Sequence, residues 1–291
     1  MNAAHATPVL GPPDELARGD FEQVVRRLAD DLAFGTDLSR FKGSGLEYAQ
    51  SRPYQPGDPV KSMDWRLTAR TGKPFVKEYE ALKRLGVFLV VDTSGSMGTG
   101  STRLTKHDLA VWIAAAVGLL AQRRLSPVAV VGAGERTTRF QPSLRRSDLW
   151  QALEPLRTGA SAEPTQLAER LARLDVRAER ASLVVVLSDF HAPDAMPALR
   201  RVAQRHETIA VHLVDPAEHG RLRSGFFLGF EAETGRTFLS GGRRRFGHVE
   251  ERERELVRSG ISAVRLRTDE PFIGTLRHFL AARAVTSRSG W

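Results

Sequence analysis

Asp92, Ser94 and Ser96 fall within five residues at the end of an apolar run, Gly86 to Met97, GVFLVVDTSGSM. A carboxylate beside two hydroxyls, with no cysteine or histidine among them, is a set of hard oxygen donors that suits magnesium or manganese. A second apolar run, SLVVVLSDF over 182–190, also ends in a hydroxyl and a carboxylate, Ser188 and Asp189. Between the two, GASAEPTQL over 159–167 places Thr165 at a predicted helix start. If the two runs are neighbouring strands, Asp92, Ser94, Ser96, Thr165 and Asp189 form one oxygen-rich set. Magnesium takes one or two carboxylates and keeps several waters, so such a site leaves an exchangeable position. A carboxylate from another molecule is its natural occupant. Each residue also has a structural reading. Ser94, Ser96 and Thr165 are good helix caps, and Asp189 is a common strand-end residue.

The elements that must position these groups follow from periodicity. Continuous apolar runs bounded by polar residues read as strands buried on both faces. Strands are predicted at 86–92, 127–133, 136–141, 182–188, 207–214 and 261–267, and helices at 104–124, 145–157, 165–175, 194–206, 243–258 and 271–284. This alternation predicts an α/β fold: a doubly wound, mostly parallel six-stranded sheet with helices on both faces. The link at 134–136 is too short for a parallel crossover, so one edge strand is expected to be antiparallel. In such sheets ligands bind beyond the carboxyl ends of the strands, where Asp92 and Asp189 lie. Apolar spacing over 14–34 predicts an N-terminal helix. Residues 40–80 mix turn formers, aromatics and charges, which predicts an irregular segment with short strands held against the sheet. Residues 225–242 read as an insertion with a short strand or two. The expected organisation is a disordered tail over 1–13, a helix and irregular segment over 14–85, and the sheet domain over 86–291.

The chain has 291 residues, is 41% hydrophobic and contains no cysteine. That is ample for a buried core, and it excludes disulfides and thiolate metal sites. No signal-peptide pattern or apolar stretch of membrane-spanning length is present, so a cytoplasmic location is expected. The net charge of +9 comes mostly from arginine, in pairs scattered along the chain. The aromatics are not interleaved with them, which argues against a nucleic-acid surface and leaves an acidic protein partner open.

Asp92-Thr93-Ser94-Gly95-Ser96 resembles the Asp-x-Ser-x-Ser signature of von Willebrand factor A domains. Thr165 and Asp189 stand where that family places the remaining ligands of its metal-ion-dependent adhesion site. Glu163-Pro164 precede Thr165 where the family often has Gly-Gly. Upstream, Gly45, Glu47-Tyr48, Arg52-Pro53-Tyr54, Gly57-Asp58, Met63-Asp64-Trp65, Ala69-Arg70 and Lys77 resemble the signature of the bacterial family called domain of unknown function 58. The resemblance implies a von Willebrand factor A-like sheet, a Mg2+ ion (Mn2+ or Ca2+ in its place), and a MoxR-type AAA+ ATPase as partner in assembling or activating other proteins. Arg52, Tyr54, Asp58, Asp64, Trp65 and Arg70 read either as a partner-binding face or as an internal staple. In the staple, Glu47, Asp58 and Asp64 pair with Arg52, Arg66 and Arg70, and Tyr48, Tyr54 and Trp65 pack on the sheet domain.

The expectation is a non-enzymatic, metal-dependent interaction module, with a metal-dependent hydrolase as the alternative. An aspartic protease needs two carboxylates sharing a proton on an all-β scaffold. A serine hydrolase needs glycine where Ser94 stands. His191 and His107 read as a rim residue and a helix residue. No Walker-type loop is present, so ATP hydrolysis would belong to a partner.

Overall fold

The computed structural model describes residues 21–33, 46–81, 85–98, 100–135, 139–157, 163–178, 180–219, 226–230, 237–241 and 249–286. The run Val87–Val91 (β3) is buried at every position because it lies in the interior of a sheet covered on both faces. It pairs in parallel with Val128–Gly132 (β4) on one side and with Leu183–Ser188 (β6) on the other. Beyond β4, Arg139–Ser143 (β5) closes one edge antiparallel, as the short connection predicts. Beyond β6 lie Glu207–Val214 (β7) and Ser262–Arg267 (β10), both parallel. The strand order is β10-β7-β6-β3-β4-β5. From β3 the chain first fills one side of the sheet and then returns to the other, so a topological switch point falls between β3 and β6.

Alternate strand residues feed two cores. Val87, Leu89 and Val91 face the core shared by helices Phe21–Ala33 (α1), Lys106–Arg123 (α3), Arg146–Arg157 (α4) and Phe272–Thr286 (α8). Phe88 and Val90 face the core formed with Leu167–Arg177 (α5), Ala195–Ala203 (α6) and Val249–Arg258 (α7). Helix α3 follows β3 and α5 precedes β6, so the two helices beside the switch point lie on opposite faces. Apart from its last residue, α3 is buried or nearly so along its length. It is apolar almost all round because the sheet lies beneath it and α1 above. Helix α1 presents Val25, Leu28, Ala29 and Leu32 at helical spacing, and Phe21 stacks on Trp112 at 4.6 Å. A Cβ on Gly118 would come within 2.9 Å of Leu149 and 3.1 Å of Leu89, so glycine there allows the close approach of α3.

The predicted strands and helices of the sheet domain match to within a few residues, where the predicted ranges fall on described residues. The expected tail over 1–13, the start of the predicted N-terminal helix (14–20), residues 136–138 of the predicted edge strand and residues 243–248 of the predicted helix over 243–258 lie outside them. The 225–242 insertion contains an antiparallel ribbon, Phe226–Phe230 (β8) with Thr237–Gly241 (β9).

The short strands expected within residues 40–80 are present, but they are more regular than an irregular segment implies. They form a regular antiparallel hairpin, Leu46–Pro53 (β1) with Phe75–Ala81 (β2), bulged between Tyr48 and Gln50. Between the arms lie a 3₁₀ turn, Val60–Ser62, and a short helix, Trp65–Thr71 (α2). The turn-rich composition belongs to the long connection and conceals the two arms. Among the described residues, no hairpin element makes an extended contact with the sheet domain. Tyr54 and Trp65 are exposed rather than packed, Trp65 at 63%. The side chain of Tyr48 lies outside the described residues.

Candidate metal centre

The backbone brings Asp92 and Asp189 to one place. Val91 of β3 is in register with Leu187 of β6, and the Asp92 N–H donates to the Leu187 carbonyl at 2.9 Å. The chain then turns sharply: the Ser94 N–H donates to Asp92 Oδ1 at 3.0 Å, and Gly95–Gly98 makes one 3₁₀ turn. That turn holds the Ser94 and Ser96 hydroxyls 3.1 Å apart. Asp92 Oδ2 accepts from the Ser188 hydroxyl at 2.5 Å. Asp92, Ser94, Ser188 and Asp189 are all buried, and Ser96 is half-buried.

The loop before α5 closes over this turn. The Gly95 N–H donates to the Glu163 carbonyl at 3.0 Å, and the Thr93 hydroxyl donates to Glu163 Oε2 at 3.1 Å. Glu163 Oε2 also accepts from the Glu135 N–H at 2.9 Å. A Cβ on Gly134 would lie 2.1 Å from Thr93 Oγ1 and 2.2 Å from Glu163 Oε2, so only glycine leaves room for this contact. Thr165 is half-buried, two residues beyond Glu163, and its hydroxyl accepts weakly from the Leu167 N–H at 3.4 Å. Helix α5 starts at Leu167 with Gln166 at its N-cap, two residues later than predicted.

The electrostatics differ sharply between the two aspartates. Among the described residues, no basic side chain is ion-paired with Asp92. Burial, reinforced by the Asp189 carboxylate, pushes its carboxyl up to about 6 despite the hydrogen bonds it accepts. Asp189 is equally buried, and burial alone would raise it as well. The Lys106 ammonium, at 2.7 Å from Oδ2, and His191 hold it well below the usual carboxylate range instead. His191 Nδ1 lies 3.1 Å from the same Oδ2, and its N–H donates to Oδ1 at 3.2 Å. The turn continues through Phe190 at φ 53°, a left-handed conformation unfavourable for a bulky residue. Full burial of the Phe190 ring in the second core offsets that strain.

Asp189, His191 and Glu218 form a cluster whose ligand atoms lie within 4.8 Å of one another and which could hold a metal ion. Lys106 is fully buried, and its ammonium bridges Asp189 and Glu218 within it. Glu218 in turn accepts from the Asp215 N–H at 3.1 Å. The buried Asp215 carboxylate ties down the loop ahead of α3 through the Ser101 N–H at 2.9 Å and the Ser101 hydroxyl at 2.6 Å. His107 is buried, donates from Nε2 to the Leu156 carbonyl at 2.7 Å, and sets its Nδ1 3.4 Å from the Asp92 carbonyl.

The structure thus joins Asp92, Ser94, Ser96 and Asp189 at the switch point and sets Thr165 on the adjoining loop. The sequence reading missed Glu163, Lys106 and Glu218 as members of this edge. The one available signal was Glu163 itself, an acidic residue where the resemblance expects glycine. On the hairpin, Arg52 grips Asp58 with two hydrogen bonds, at 2.7 and 2.8 Å. Asp64 caps α2 through the Leu67 N–H at 3.1 Å and accepts from the Ser51 hydroxyl at 2.7 Å, rather than pairing with Arg66 or Arg70. Tyr54, Trp65 and Arg70 remain on the surface. Among the described residues, no helix is long and apolar enough to cross a membrane.

Similarity to known proteins extends over the whole chain. The uncharacterized proteins Rv1480 of Mycobacterium tuberculosis and Mb1516 of Mycobacterium bovis are each 32% identical to it, over 100% of this chain and 99% of their own. A crystal structure of the Deinococcus radiodurans RO (RSR) protein superposes with a TM-score of 0.37 at 17% identity, over 94% of this chain and 50% of that one. That superposition is too loose to bear on fold or function. Residues 50–255 match the family described as "Protein of unknown function DUF58". With that match spanning most of the hairpin and most of the sheet domain, the chain belongs to the DUF58 family.

Proposed function

We propose that the protein is a non-enzymatic interaction module that docks a partner protein through a divalent cation held at the β3–β6 switch point. The observation that carries this reading is Asp92: a fully buried carboxylate with no ion pair among the described residues, set beside two hydroxyls 3.1 Å apart. A buried charge without a counter-ion is costly, and a bound cation relieves that cost. The donors are all oxygen, with one carboxylate and two hydroxyls, which fits Mg2+ better than the more carboxylate-rich Ca2+ sites; Mn2+ would substitute. In this reading Asp92, Ser94 and Ser96 hold the ion as a metal-ion-dependent adhesion site of von Willebrand factor A type. Asp189 supports the ion from the neighbouring strand, and Thr165 does so from the loop before α5. The cation supplies an electrophilic position that an acidic side chain of the partner fills.

The proposed partner is a MoxR-type AAA+ ATPase, with which this chain acts as an adaptor in assembling or activating client proteins. The exposed Tyr54, Trp65 and Arg70 of the hairpin offer a second contact surface. The test is retention of such an ATPase on the immobilised chain, in Mg2+ and in EDTA, with the wild type and Asp92→Ala. Retention lost under both changes is expected. Retention that ignores both contradicts docking through the metal. Turnover of a phosphoester or peptide that Asp92→Ala abolishes would replace docking with hydrolysis.

A further inference from the structure

Lys106 is not among the residues that hold the proposed ion at Asp92, yet it is placed where a lysine is least expected. It opens α3, its side chain is fully buried, and its ammonium donates both to Asp189 Oδ2 at 2.7 Å and to Glu218 Oε1. Burying an ammonium gives up its hydration, and ordering four methylenes gives up rotamer freedom. The compensation is local. Asp189, His191 and Glu218 gather their ligand atoms within 4.8 Å, as the protein donors of a metal ion do. Without a cation among them, two carboxylates would repel each other beside Asp92, which has no ion pair among the described residues.

We propose that Lys106 is the centre's built-in second cation: its ammonium takes the place that a second divalent ion would occupy among Asp189, His191 and Glu218, and so keeps the centre mononuclear. The inference rests on the reading above for the ion at Asp92. Two chemical consequences follow. First, Asp189 Oδ2 is occupied by Lys106 and His191, and Oδ1 by the His191 N–H, so the negative charge of Asp189 is balanced from within the protein. The ion at Asp92 then keeps net positive charge, which favours an anionic ligand from outside. Second, a mononuclear centre lacks the paired ions that clamp the attacking and leaving oxygens in two-metal hydrolysis. Lys106 thereby biases the site toward docking and away from that chemistry.

The test counts bound Mn2+ per chain by electron paramagnetic resonance titration of the full chain. The wild type is expected to bind one ion and Asp92→Ala none. Lys106→Met is expected to bind two, and Lys106→Met with Glu218→Gln to return to one. A single ion in Lys106→Met overturns the inference while leaving the Asp92 site standing. No ion in the wild type, but one in Lys106→Met that Glu218→Gln removes, sinks the Asp92 reading and keeps the role of Lys106. If Lys106→Met unfolds in EDTA, Mn2+ should restore its melting transition, and Glu218→Gln should abolish that rescue. Unfolding that Mn2+ does not reverse counts against the inference, because a merely structural lysine would behave in that way.

Discussion

Asp92 contributes a pH dependence whose sign is set by burial. Its carboxyl stands at about 6 in the folded protein against 3.8 when unperturbed. Between those values the folded state binds a proton that the unfolded chain does not, so metal-free stability falls as pH rises through that window. At about 1.4 kcal/mol per unit, the ionised form gives up on the order of 3 kcal/mol at neutral pH. A cation restores that loss only where Asp92 is ionised. Mg2+ should therefore raise the melting temperature more at pH 7.5 than at pH 5. Asp92→Asn should melt higher than the wild type in EDTA at pH 7.5 and respond to Mg2+ at neither pH. An equal Mg2+ shift at both pH values, or one that survives Asp92→Asn, would detach the effect from this carboxylate. Asp92, Ser94 and Ser96 are legible in the sequence because local chain geometry alone brings them together. Lys106 and Glu163 were not: Lys106 meets Asp189 across 83 residues and Glu163 meets Thr93 across 70, and only the sheet's strand order makes those meetings visible.

At the scale of elements, the sheet and the hairpin should respond differently to truncation. Leu89 lies fully buried at the centre of β3, packed toward α3. Leu89→Ala should cost about 2–5 kcal/mol in urea unfolding, the usual range for a central cavity. Trp65 is 63% exposed at the start of α2, so Trp65→Ala should change stability by no more than about 0.5 kcal/mol. A large loss for Trp65→Ala would mean that the hairpin is tied to the sheet domain through that ring. The four inner strands, β7, β6, β3 and β4, were readable because each carries an apolar run of strand length bounded by polar residues, and the antiparallel edge because its connection is too short for a crossover. The hairpin was not readable in this way. Its arms, LEYAQSRP and FVKEYEA, carry neither an apolar run nor a clean apolar/polar alternation, and they pair Arg52 with Val76 and Glu47 with Glu80 across a long turn-rich stretch.

At the scale of the whole molecule, some of the arginines tie one element to another. Arg123 pairs with Asp30 to join α3 to α1, Arg200 with Glu255 to join α6 to α7, and Arg283 with Glu207 to join α8 to β7. The first two are exposed enough to be worth about 1 kcal/mol or less each, so they orient helices more than they stabilise them. Negative charge is concentrated instead at the carboxyl edge of the sheet. There Asp92, Asp189, Asp215 and Glu163 are buried and Glu218 is half-buried, with Lys106 as the buried ammonium among the described residues. In the proposed reading this acidic edge on a basic molecule is the large-scale counterpart of Asp92, which has no ion pair among the described residues. The most direct check is the anomalous difference density of a crystal soaked in Mn2+. One peak per chain is expected, bonded to Asp92, Ser94 and Ser96 and absent from Asp92→Ala. A map with no peak at those three residues, or one unchanged by the substitution, would contradict the proposed metal centre.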